Sequence, residues 1–241
     1  MKRIFSCLLF FLFFTSVVFA APSAQDIISK IRQNQDKIKD MSAKVVTIIK
    51  SDKEGKALEQ KGVILTKGKD KVRIMMETPM RQLTITNGNK MYIENKDTGQ
   101  KFVQDLQKIR EKTGQKNIGG DPLDQTKILD TFYLSLEEKG IFKKSYIITG
   151  VPKDTNSLFG KVKFYVDASS YVPTKLEVYD TDNKLLTKSE VEYKKIGDIW
   201  VLSQNKSWLN VPGGKMDVVM KLEDIRVNKG IPDSEFVIKE E

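Results

Sequence analysis

The feature that most constrains this chain is how often turn residues interrupt it. From Ala43 to Glu94, short strand-forming segments alternate with Ser51-Asp52-Lys53-Glu54-Gly55, Lys67-Gly68-Lys69-Asp70, Thr78-Pro79 and Asn87-Gly88-Asn89. Links this short hold no crossover helix, so successive strands must pair antiparallel. Asn87-Gly88 is the sharpest hairpin signal. The pattern returns from Tyr146 to Val227, broken at Asp154-Thr155-Asn156, Asp167-Ala168-Ser169-Ser170, Asp180-Thr181-Asp182-Asn183, Ile196-Gly197-Asp198 and Pro212-Gly213-Gly214. In Lys161-Val162-Lys163-Phe164-Tyr165-Val166-Asp167, charged and apolar side chains alternate, which wets one face of the strand and buries the other. About eleven strands are too many for one flat sheet, so the expected fold is mainly β with α, a strongly curved or barrel-like antiparallel sheet.

Three segments read as helical. Ile27, Ile31 and Ile38, widened by Ile28 and Met41, form an apolar stripe over Ser23–Asp40, and Ser23 with Asp26 resembles a capping box. Phe102–Lys112 and Gln125–Glu138 also have helical spacing, the second with a wide face of Ile128, Leu129, Phe132, Tyr133 and Leu136. The Gly-rich link Thr113–Pro122 reads as a hinge or a long loop. These helices must bury their stripes against the sheet, inside the curve or across its mouth. Ile231–Phe236 reads as a last packed segment.

The N-terminus reads as an export signal. Lys2 and Arg3 precede a nearly unbroken apolar stretch, Ile4–Phe14, and Val18-Phe19-Ala20 offers a cleavage site. The expectation is a signal peptide at residues 1–20 and a single mature domain at 21–241, released into the periplasm of a Gram-negative-type envelope. Cleavage removes Cys7, the only cysteine, so no disulfide can form in the mature chain. It also lowers the formal charge from +9 to +7. That surplus reads as a solubilising surface, since lysine is spread through every segment, or as weak attraction to anionic membrane. Export leaves no role for nucleic acid.

The chain has no histidine. Imidazole zinc sites, histidine general bases and Ser-His-Asp triads are therefore excluded. Ser203-Gln204-Asn205-Lys206 fits a bare Ser-x-x-Lys pattern but has no companion motif. No glycine opens a phosphate loop, and no residues have EF-hand spacing. The reading is that the chain is not an enzyme and needs no metal or cofactor. Binding remains. An apolar cavity inside the curve would draw on Val45, Ile64, Ile74, Met76, Leu83, Ile85, Tyr92, Phe164, Val166 and Trp208. Each buried methylene is worth roughly 0.8 kcal/mol, so a long acyl chain is a natural occupant.

Motifs across the mature chain resemble the outer-membrane lipoprotein-sorting family. After a first helix ending near Met41 come Gly62-Val63-Ile64-Leu65, Val72-Arg73-Ile74, Glu77-Thr78-Pro79, Leu83-Thr84-Ile85-Thr86-Asn87-Gly88 and Lys90-Met91-Tyr92. Val151-Pro152-Lys153, Lys175-Leu176-Glu177-Val178-Tyr179-Asp180 and Ile231-Pro232-Asp233-Ser234-Glu235-Phe236 follow the same pattern. The resemblance implies an incomplete barrel with a helical lid over an apolar cavity. It implies a monomeric periplasmic carrier of acylated lipoproteins or lipid, moving cargo from an inner-membrane release complex to an outer-membrane acceptor. It also implies that Arg73 contacts the lid or the ligand entrance, and that Pro79 and Gly88 are structural turns. The chain departs from the family at Ile74, where an aromatic is common, at Met91 and Tyr92, where Trp is common, and in its Val237-Ile238-Lys239-Glu240-Glu241 ending. Relatives of this shape also act as envelope sensors of lipid or lipoprotein, which is the alternative reading.

Overall fold

The computed structural model describes residues 21–53, 55–113, 123–140, 144–155, 157, 159–211 and 213–238. The signal-peptide stretch lies outside the described residues, as does most of the Gly-rich link. Helix α1 spans Ala24–Gln35 and begins with the capping box: Asp26 N–H donates to Ser23 Oγ, and Ser23 N–H donates to the Asp26 carboxylate. Its Ile27, Ile28 and Ile31 are buried together, as their spacing demands.

Among the described residues, thirteen strands follow in one sheet. They are β1 Asp40–Ser51, β2 Leu58–Lys67, β3 Lys71–Thr78, β4 Gln82–Asn87, β5 Lys90–Asn95, β6 Lys101–Asp105, β7 Phe132–Lys139, β8 Ser145–Pro152, β9 Lys161–Asp167, β10 Pro173–Tyr179, β11 Leu185–Ile196, β12 Ile199–Val211 and β13 Gly214–Val227. The order is β6-β5-β4-β3-β2-β1-β13-β12-β11-β10-β9-β8-β7, and every pairing is antiparallel. The sheet is strongly curled and unclosed, with β6 and β7 as its two edges. Sequence neighbours pair throughout, except that the edges β6 and β7 do not pair with each other, while β1 pairs β13, which joins the two halves of the chain.

The fold class read from the sequence holds, with two more strands and smaller helices. The helix expected over Phe102–Lys112 is strand β6 followed by the short helix α2, Leu106–Thr113. The helix expected over Gln125–Glu138 is corrected further. Only Gln125–Thr131 coils, as a 3₁₀ turn capped by Asp124, and Phe132–Lys139 is β7. Phe132, Leu134 and Leu136 also fit a period of two, and pairing with β8 along the whole strand decides between the two periods. Ile128 and Leu129 therefore lie on a turn, while Phe132 and Leu136 lie on a strand. The β4–β5 hairpin has Gly88 and Asn89 as its loop residues, because Asn87 pairs with Lys90. Gly88 has φ 59°, a conformation that favours glycine. The Thr78–Pro79 bond at the β3–β4 turn is cis.

Three apolar clusters form. α1 packs with Leu129 and Phe132 onto Ile148, Val162, Phe164, Val166 and Val178. Met41, Ala43, Val45 and Ile64 meet Val191, Val201, Leu202, Leu222 and Val227. On the opposite face of β2–β5, Leu83, Ile85 and Tyr92 are covered by Phe236 of the C-terminal 3₁₀ turn, Asp233–Phe236.

Candidate functional site

Successive strand residues face opposite sides of a sheet, so registers assign the faces. The inner face is the one α1 covers. It carries Ala43, Ile64 and Ile74 as direct cross-strand neighbours. The next positions, Arg73, Ile85 and Tyr92, also pair in a row and lie on the outer face.

α1 crosses the inner face and is held at its C-terminal end by polar contacts. Asn34 grips the backbone of Trp200 on β12, donating to its carbonyl at 2.8 Å and accepting its N–H at 3.0 Å. Arg32 donates to Thr126 Oγ1 at 3.2 Å and pairs with Asp130 at 2.7 Å, which ties the helix to the 3₁₀ turn. Lys37 pairs with Asp198 in the β11–β12 turn at 2.9 Å. Under this end of α1 is a cavity of about 660 Å³. Its apolar wall includes Ile31, Ile38, Met41, Leu123, Val201 and Leu202. Its rim carries Arg32, Lys39, Lys69 and Lys127 beside Asp36, Asp124 and Asp130, and Lys69 pairs with Asp36 at 2.9 Å. Burial, reinforced by the charge of Asp124, pushes the Tyr193 phenol up, so this wall residue stays neutral. The volume is in the range of small-molecule pockets, and a largely apolar wall with a polar rim suits an amphiphile.

The residues nominated from the sequence fall into three groups. Val45, Ile64, Ile74 and Met76 share one inner-face cluster. Phe164 and Val166 are fully buried under α1, together with Leu129 and Phe132 and beside Ile128 and Leu136. Leu83, Ile85 and Tyr92 lie on the outer face beneath Phe236. Trp208 is also on the outer face, 38 % exposed, with Lys188 Nζ 5.0 Å from its ring centroid. A one-residue step reverses facing, so a list of apolar strand residues mixes both sides of the sheet. Arg73 faces the C-terminal segment, with Nε 3.7 Å from Glu235. Pro79 and Gly88 sit in the β3–β4 and β4–β5 turns.

Sequence reasoning missed Asn34, Thr126 and Tyr193. Each acts through a partner far away in the chain, and no local pattern marks such residues. Among the described residues, no cluster of three or more potential ligands could hold a metal ion, and no helix is long and apolar enough to cross a membrane.

Solved structures share this fold. A DUF1329 family protein from Desulfovibrio piger superposes with a TM-score of 0.65 at 17% identity, over 88% of this chain and 95% of that one. A LolA superfamily protein from Nitrosomonas europaea gives 0.63 at 16% identity, over 90% and 99%. An outer membrane lipoprotein-sorting protein domain from Vibrio parahaemolyticus gives 0.60 at 16% identity, over 87% and 95%. This chain has the lipoprotein-sorting fold. A family model described as that of an uncharacterized protein matches residues 120–239. No curated protein matches the sequence. The fold that the motifs of β2–β5 suggested is therefore the fold observed.

Proposed function

We propose that this chain is an exported, lipid-binding protein of the cell envelope that carries the acyl chains of lipoproteins from the inner to the outer membrane. The observation that carries the reading is the cavity of about 660 Å³ between α1 and the inner face of an unclosed sheet with the lipoprotein-sorting fold. Further support comes from the signal-like N-terminus and from the lack of histidine. On this reading residues 1–20 are cleaved, residues 21–241 work as a monomer in the periplasm, and the chain does no chemistry. Cargo comes from an inner-membrane release complex and goes to an outer-membrane acceptor. Acyl burial at roughly 0.8 kcal/mol per methylene provides the affinity, and the cost of opening the lid keeps it low enough for release.

The test is mass spectrometry of lipid and acylated protein bound to the mature chain purified from its own envelope. A transfer assay from inner-membrane vesicles into the soluble fraction accompanies it. Co-purified acylated lipoprotein and its soluble transfer are expected. Protein that emerges lipid-free and solubilises no acylated cargo overturns the proposal. Bound lipid with no transfer leaves lipid binding and overturns the carrier role in favour of a sensor.

A further inference from the structure

Beyond the cavity under α1, the inner face continues as a strip that protein covers only partly. Across β2, β1, β13, β12 and β11, one cross-strand row runs Gln60, Thr47, Met220, Asn205 and Val191. The row two positions further along β1 runs Leu58, Ile49, Val218, Ser207 and Ser189. None of these side chains is charged. The outer-face row between them is Glu59, Ile48, Val219, Lys206 and Glu190, so the same strands carry three charges when they face outward. Gln60, Thr47, Met220, Asn205, Val218 and Ser207 are half-buried. The residues under α1 are almost fully buried by comparison.

The polar groups of the strip form a short directed chain. Ser207 donates to Asn205 Oδ1 at 3.2 Å, and the Ser189 and Ser207 hydroxyls are 2.7 Å apart. With its proton on Asn205, Ser207 accepts from Ser189. Among the described residues, the Asn205 amide nitrogen has no acceptor for either proton, and neither Thr47 nor Gln60 has a side-chain partner. Half-buried donors with no protein acceptor are met by water and can exchange it for an acceptor on a ligand. The absence of charge selects against a carboxylate or ammonium, whose desolvation nothing here would repay. The flanking Met220, Val218 and Ile49 suit a hydrocarbon, and methionine adapts to irregular chains.

Resting on the acyl-binding reading above, we infer that the Asn205 row is a subsite for the carbonyl of an ester- or amide-linked acyl chain. The Asn205 amide donates to that carbonyl, and the hydrocarbon continues along the apolar row. The strip thereby distinguishes acyl linkages from alkyl chains of the same length.

Two amphiphiles with one headgroup test this: palmitoyl lysophosphatidylcholine, which has an ester carbonyl, and its hexadecyl ether analogue, which has none. Titration of the mature chain with each should give about tenfold tighter binding of the ester, the effect of one retained hydrogen bond in an otherwise unpaired site. Asn205→Leu should bring ester affinity down to that of the ether and leave ether affinity unchanged. Ser207→Ala, a smaller change, should narrow the gap. Equal affinities in the unaltered chain overturn the subsite and leave acyl binding standing, as does an Asn205→Leu loss shared equally by both probes. Binding of neither amphiphile overturns the acyl-binding reading and the subsite with it.

Discussion

Single polar side chains organise the turns of this molecule. Asp167 closes the β9–β10 turn by accepting from the backbone N–H groups of Ser169 and Ser170 at 3.0 and 2.9 Å and from both hydroxyls. The Ser169 hydroxyl bond comes first, with the Ser170 bonds adding to it, and together they outweigh burial and hold the Asp167 carboxyl at about 2. A carboxyl depressed in the folded state adds stability that is complete above its unfolded value and fades as pH falls toward about 2. Asp167→Ala should cost about 1 kcal/mol at neutral pH, with the gap from the parent closing in acid. Urea midpoints measured between neutral pH and acid check both parts. On the outer face, Glu177 accepts from Lys175, Tyr165 and Tyr179 at 3.0, 2.9 and 2.9 Å. Burial opposes its charge, but these three donors win and hold its carboxyl low. Burial first, and the same carboxylate second, push Tyr165 and Tyr179 up to about 12.

At the scale of elements, the two faces of the sheet are closed by opposite ends of the chain. α1 covers the inner face of the β7–β10 half, and the C-terminal segment covers the outer face of β2–β5. That segment is fastened by Lys67 and Lys71 on Asp233 at 3.0 and 2.8 Å, by Asn87 donating to the Phe236 carbonyl at 3.2 Å, and by the fully buried Phe236 ring. The ion pairs are exposed and contribute little, so the ring is the main anchor. Phe236→Ala should cost about 3 kcal/mol. It should also expose Leu83, Ile85 and Tyr92, which were nominated from the sequence as cavity wall and here form the seat of this anchor. Hydrogen exchange along β4 and β5 would show the change. Unaltered protection there would mean that the tail does not stabilise the strands it covers.

For the whole molecule, β13 is the joint. It pairs with β1 from Met41↔Val227 to Ser51↔Met216 and with β12 on its other side, linking strands made at opposite ends of the chain. Among the described strands, no other pairing connects the β1–β6 half to the β7–β12 half. A chain ending at residue 211 should therefore lose its cooperative urea transition, because each half keeps an apolar inner face with nothing to complete it. A truncated chain that still unfolds in one sharp step would refute this. A pairing of such long range also predicts slow folding, since the closing contact must overcome the entropy of a nearly full-length loop.

The sequence alone determined the class of fold, because strand alternation and short polar turns are local signals and their links are too short for anything but antiparallel pairing. It determined the start of the first helix, since Ser23 and Asp26 satisfy each other within one turn, but not its end, which the apolar stripe puts at Asp40 and which lies at Gln35, with β1 beginning at Asp40. It also determined that imidazole chemistry is absent, because a chain without histidine lacks that group in any fold. Tertiary structure alone decided the facing of each strand. Ile74 and Arg73 are neighbours in sequence, yet one packs with the inner cluster and the other meets Glu235 outside. It also decided that Phe132–Lys139 is a strand, because the run fits both periods and its partner β8 settles the choice. The uncharged strip around Asn205 emerged only once five strands were set in register, since its members run from Thr47 to Met220 along the chain and become one surface by pairing.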